Sequence, residues 1–175
     1  MRPILVATCG NASAGDDAFG PRVAALLREN DRADLEVVDL GMKPAALLDH
    51  LEGRQMLVIV DAAAGQGLPP GLLIDTDWWS ADRPPLVSER SLSTHGISLA
   101  DQIELAGKLH LLPRIVRVIA ATGAAMTVGA ESSPSIDRLV AEAAHRIRHL
   151  LVAPGPQPQF HKVQQSRSPS MSVKP

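Results

Sequence analysis

Met56-Leu57-Val58-Ile59-Val60 is an unbroken apolar run, and Asp61 closes it. A strand with one wet face alternates apolar with polar residues. A run without alternation instead suits a strand covered on both faces. Ile4 to Thr8 has the same character. Strands of that kind belong to parallel sheets, whose crossover connections lay helices over both faces. A β-sandwich or a helical bundle does not fit this pattern.

The rest of the chain fills in such a sheet. Leu35 to Leu40 reads as a second strand, Met56 to Val60 as the third, and Leu72 to Ile74 as a short fourth strand at an edge. Ile115 to Ala120 reads as the fifth. Between them lie helical patterns. Pro21 suits a first helical turn, where its missing N–H costs nothing, and Val23, Ala24 and Leu27 follow on one face. Pro44 to Leu51 reads as a second helix, with Gly53 placed to end it in a left-handed conformation. Ser98 and Asp101 can cap a third, which runs to about Leu109 with Leu99, Ile103 and Ala106 inward. Ser133-Pro134 opens the last helix, with Ile136, Leu139, Val140, Ala143, Ile147 and Leu150 as its stripe. Trp78 to Ser93 lacks periodicity and reads as a loop. The expected fold is one three-layer α/β/α domain, residues 1–152, with a mostly parallel five-stranded sheet. Strand three should be central and adjacent to strand one. Residues 153–175 are rich in Pro, Gln and Ser without apolar periodicity, and are expected to form a disordered tail.

Bulk properties exclude several functions. A formal charge of −2 and no basic stripe argue against nucleic acid as a partner. No segment approaches the roughly 20 apolar residues of a membrane span. Cys9 is the single cysteine, so no intrachain disulfide can form. That suits a reducing compartment, and the expected location is the cytoplasm. With two Trp, two Phe and no Tyr, the core must be aliphatic.

Ligands in parallel sheets bind outside the carboxyl ends of the strands. Three potential metal ligands fall at loops of that kind. Asp17 lies in the loop from Gly10 to Gly20, Asp61 closes the third strand, and His95 lies in Ser93-Thr94-His95-Gly96. Two carboxylates and an imidazole could hold a divalent ion with positions left open for substrate. Each has a blander reading: Asp17 as a solvated acid in a capping loop, Asp61 as an acceptor for loop amides, and His95 as a helix cap. Other chemistries fit less well. The first loop is glycine-rich, yet it has neither common nucleotide fingerprint, and its acids would repel phosphate. Cys9 could pair with His95 as a thiol nucleophile, although a small buried side chain is the simpler reading. No Gly-x-Ser-x-Gly elbow occurs. His145 and His149 are spaced for a metal on one helix, but Arg146 stands where a zinc protease has glutamate.

Taken together, these segments resemble the hydrogenase maturation endopeptidases. The likeness runs from about Arg2 to Leu151. It rests on Ile4-Leu5-Val6 followed by Gly10-Asn11, Asp16-Asp17 and Gly20, on Val58-Ile59-Val60-Asp61-Ala62, and on Ser93 to Asp101, which is similar to the family's Ser-x-His-x-x-x-Leu-x-Asp/Glu. The chain departs from the family at Thr8 and Ala18, each a usual glycine, and at Ala120 to Ala124, where Gly-x-Glu-Pro is common. The resemblance implies an endopeptidase that trims the C-terminal extension of a nickel–iron hydrogenase large-subunit precursor. It implies that Asp17, Asp61 and His95 bind the metal and serve catalysis. That metal would be nickel borne by the substrate, with zinc or cadmium able to substitute. A non-catalytic adaptor or chaperone for a metallated precursor is the alternative within the family. An unrelated α/β hydrolase using Cys9 or a serine is the alternative outside it.

Overall fold

The computed structural model describes residues 2–29, 32–64, 68–81 and 99–152. The expected tail, the Gly65-Gln66-Gly67 break, most of the loop after Trp78, and His95 lie outside the described residues.

Five strands form one sheet: β1 (Ile4–Thr8), β2 (Leu35–Asp39), β3 (Met56–Ala64), β4 (Leu73–Asp77) and β5 (Ile115–Gly123), in the order β2-β1-β3-β5-β4. The β1–β2, β1–β3 and β3–β5 ladders are parallel, while β4 runs antiparallel to β5. As expected, β3 is central and lies beside β1. The reversal of β4 has a simple cause. Residues 65–72 are too few for a helical crossover, so the chain cannot return to the opposite end of the strands before pairing.

Helices cover both faces. On one side α1 (Phe19–Arg28) and α3 (Pro134–Val152) bury Phe19, Val23, Leu27, Ile136, Leu139 and Ile147 against Val6, Val58 and Ile119. On the other, α2 (Leu99–Lys108) and the segment Pro44–His50, with Leu51 just after it, bury Ile103, Leu47 and Leu51 against Leu5, Leu57 and Ile59. The alternating side chains of β1 and β3 thus enter two separate cores, which explains why their sequences do not alternate. Pro44–His50 is a 3-10 helix rather than the expected α-helix. Seven residues are too few to repay α-helix nucleation, and the tighter turn still delivers Leu47 to the core.

Two of the three inner strands outrun the sequence expectation. β3 continues through Asp61 to Ala64, and β5 continues to Gly123, paired all the way from Asp61 with Ala120 to Ala64 with Gly123. β1 stops earlier, its last pair being Thr8 with Val60. Asp61 is therefore the first residue of β3 beyond the end of β1. Successive crossovers go to opposite sides between β1 and β3, the switch point at which sheets of this kind form a crevice.

Candidate active site

The loop leaving β1 turns back on itself before α1 begins. Gly10 has φ +146°, and a Cβ there would lie 2.2 Å from the Asp17 carbonyl oxygen. A Cβ on Gly20 would lie 2.0 Å from the Cys9 carbonyl oxygen. Only glycine allows main chain to approach main chain so closely. These two residues bring the 3-10 turn Gly15–Ala18 down onto the end of β1.

That geometry sets Asp17, in the loop leaving β1, at the same end of the sheet as Asp61. Its Oδ2 accepts the Asn11 amide at 2.9 Å, and its own amide donates to the Ala14 carbonyl at 3.0 Å. Asp17 is 7% exposed, so the solvated-acid reading does not describe it. Asp61 is half-buried, and its Oδ1 accepts the amide of Ala62 at 2.9 Å. Alternate residues of a parallel strand address alternate neighbours, and the Val60 carbonyl accepts the Cys9 amide from the β1 side at 2.9 Å. The Ala62 amide faces that same side, past the end of β1. The Asp61 carboxylate supplies the acceptor that a longer β1 would have provided.

Asp16 is the residue that the sequence reading passed over. It is fully buried. Its Oδ2 accepts the amides of Ala124 at 2.7 Å and Ala125 at 3.2 Å, and its Oδ1 accepts that of Ser133 at 2.7 Å. Burial is the strongest single influence and opposes ionisation. The amides of Ser133, Ala124 and Ala125, with the Ser133 hydroxyl, together outweigh it and hold the carboxyl below its ordinary range. The only signal in the sequence was the doubling of the acid, which does not say which copy turns inward.

Cys9 is buried at 1% exposure within the core on the α2 side, as a small apolar residue would be. An apolar cavity on that side of the sheet reaches Asp61, and is lined by Ile59, Ala62, Trp78, Leu99, Ile103 and Val118 among the described residues. His145 and His149 are exposed on α3, away from this edge. Among the described residues no group of three His, Cys, Asp or Glu is gathered closely enough to hold a metal. His95 falls outside them. Asp17, in the loop after β1, and Asp61, one residue past the last β1–β3 pair, therefore lie at the same end of neighbouring strands.

Comparison with known proteins identifies the family. The profile described as hydrogenase maturation protease matches residues 21–152, a span that holds Asp61 and His95 and begins just after Asp17. The chain belongs to the hydrogenase maturation protease family. A Methanocaldococcus jannaschii protein, provisionally named a hydrogenase maturation protease, is 29% identical over 154 residues, covering 86% of this chain and 95% of its own. Among solved structures, the [NiFe] hydrogenase maturation protease HycI from Thermococcus kodakarensis superposes with a TM-score of 0.67 at 25% identity, covering 86% of this chain and 92% of that one. The hydrogenase maturating endopeptidase HybD from Escherichia coli does so with a TM-score of 0.67 at 22% identity, covering 86% and 93%, and shares the fold. Among the described residues, no helix is long and apolar enough to cross a membrane.

Proposed function

We propose that this protein is an endopeptidase that removes the C-terminal extension from a nickel–iron hydrogenase large-subunit precursor, with Asp17, Asp61 and His95 as its metal-binding and catalytic set. Family membership over residues 21–152 is the observation that carries the reaction class. The placement of Asp17 and Asp61 at the crevice between β1 and β3 supports the choice of residues. Connectivity supports His95 as the third ligand. It precedes Leu99 by four residues, a tether of at most about 14 Å, and Leu99 lines the same cavity as Asp61. The loops at this edge also carry exposed Met42, Leu68, Leu72 and Val128, which suits a protein substrate better than a small polar one.

Two carboxylates and an imidazole fit a borderline divalent ion. Nickel arrives here as part of the substrate, and zinc or cadmium would fit the same donors. Bound there, the ion supplies polarisation of the scissile carbonyl or reports that the precursor is loaded. Asp17 and Asp61 would hold it from backbone-anchored positions, since each carboxylate already accepts a main-chain amide through one oxygen. His95 is the third member of the proposed set. The location consistent with this substrate is the cytoplasm.

The test is processing of a nickel-loaded precursor by purified variants, with circular dichroism to confirm folding. Asp61→Asn and His95→Ala should each cut the rate by about tenfold to a hundredfold or more, the scale of perturbed metal sites. Cys9→Ala should stay within about a few-fold, because it removes only a small buried side chain. Loss of cleavage in Cys9→Ala alone would replace the metal mechanism with a thiol one. A wild type that binds the precursor through the trio without cutting it would make the protein an adaptor.

A further inference from the structure

Asp17 is fixed to the sheet from two sides. On the β1 side the link is short: the Cys9 amide donates to the Val60 carbonyl, and two residues later the Asn11 amide donates to Asp17 Oδ2. On the β5 side the link runs through Asp16. Asp61 stands opposite Ala120, the pairing continues to Gly123, and the next two amides, of Ala124 and Ala125, both donate to Asp16 Oδ2. The Asp16 amide returns a bond to the Ala125 carbonyl at 2.7 Å. Ser133, which immediately precedes α3, donates to the other carboxylate oxygen. The same loop is joined again where the Ser132 hydroxyl donates to the Gly15 carbonyl and the Gly129 amide to the Ser13 carbonyl. One buried carboxylate thus ties the turn that carries Asp17 to the strand that is in register with Asp61.

We infer that Asp16 is a positioning residue: by gathering the amides of Ala124, Ala125 and Ser133 it sets where the Asp17 carboxylate stands relative to Asp61. Its consequence for cleavage rests on the proposed role of Asp17, while its placement of Asp17 does not. A carboxylate suits the task because it offers two acceptor oxygens and no donor. An amide of the same shape would turn an N–H toward backbone N–H groups and lose at least one of the three bonds. A side chain that fastens the first contact sphere from behind has effects on site chemistry well beyond its own contacts.

Asp16→Asn is the variant, and the Asn11 amide is the reporter, since its bond partner is Asp17 itself. Hydrogen exchange is read by NMR on the full chain, with the Val58 amide of central β3 as the reference for global opening. Exchange at Asn11 should quicken by about tenfold or more beyond any change at Val58, alongside Ala124, Ala125 and Ser133. In parallel, kcat on a nickel-loaded precursor should fall by about tenfold or more, with KM changed by less than about threefold. Should Asp16→Asn not fold, Gly123→Ala presses on the same group, because its Cβ would lie 2.8 Å from Asp16 Cβ and 2.7 Å from Met126 Cε. The same reporter should then respond in the same direction. Asn11 exchange that moves only in step with Val58 would mean that Asp16 merely stabilises the fold, and the inference is lost. Unchanged kcat in a folded variant with quickened Asn11 exchange also overturns it as a functional role. Failure of the wild type to cut the precursor indicts the endopeptidase proposal instead, and the exchange result still decides the placement of Asp17.

Discussion

Asp16 Oδ1 accepts the amide of Ser133 at 2.7 Å across 117 residues of chain. That bond joins the first loop of the protein to the start of its last helix. Long-range polar contacts of this kind cost dearly when half removed, because buried amides are left unpaired.

Asp16→Ala should therefore destabilise the protein by about 2–4 kcal/mol, through three orphaned amides and lost packing. Urea unfolding followed by circular dichroism measures it. A loss below about 1 kcal/mol would show that water replaces the carboxylate without penalty.

The same group sets an acid dependence. Its folded pKa lies below the ordinary carboxylate value, so the unfolded chain takes up the proton first as pH falls. The stabilisation from ionised Asp16 is thus complete above the unfolded pKa of about 3.9 and is lost as pH falls through the lower folded value. The stability difference between wild type and Asp16→Asn should be constant from pH 7 to about pH 5 and shrink below about pH 4. A difference that grows on acidification would mean the sign is wrong.

At Asp61, shape and charge can be separated. Asn keeps an oxygen for the Ala62 amide, whereas Ala leaves that amide at the open end of β1. Asp61→Asn should unfold within about 0.5 kcal/mol of wild type, and Asp61→Ala should lose about 1–2 kcal/mol. Equal urea midpoints for the two variants would mean that the carboxylate does not support β3.

Two glycine substitutions should move in opposite directions. Gly20→Ala drives a methyl into the Cys9 carbonyl and should cost at least about 2 kcal/mol. Gly107→Ala lies in α2, where the added methyl meets only Leu112 Cδ1 at 3.5 Å, so it should stabilise by up to about 0.5–1 kcal/mol. Thermal melts of both read the contrast directly.

Much of this architecture was legible in residue order. Ile4 to Thr8 and Met56 to Val60 are apolar on both faces because each face meets its own helical layer, and the resulting strands pair as expected. The stripe from Ile136 to Ile147 lies on α3 and is buried. What the order hid has physical reasons. Asp61 to Ala64 and Ala120 to Gly123 are small or polar, so propensity gave no sign that pairing continues; the neighbouring strand supplies it. The antiparallel sense of β4 depends on the length of a connection rather than on its own side chains. Asp16 and Asp17 are chemically identical neighbours, and only the approach of the loop before α3 decides that the first accepts amides from that distant loop while the second accepts one within its own. Of the expected trio, Asp17 follows β1 and Asp61 stands just past the end of β1 on β3, at the same end of the sheet, and His95 lies beyond the described residues.

The contact between Gly20 and the Cys9 carbonyl has a consequence for heat. Where most elements dock through side chains, this joint is peptide against peptide. It has no rotamers to populate as temperature rises, so it cannot soften by degrees. Asp17 sits between its two halves along the chain, and α1 is held by the fully buried Phe19 at its first position. The crevice should accordingly keep its room-temperature shape until α1 leaves the sheet, and lose it in that single step.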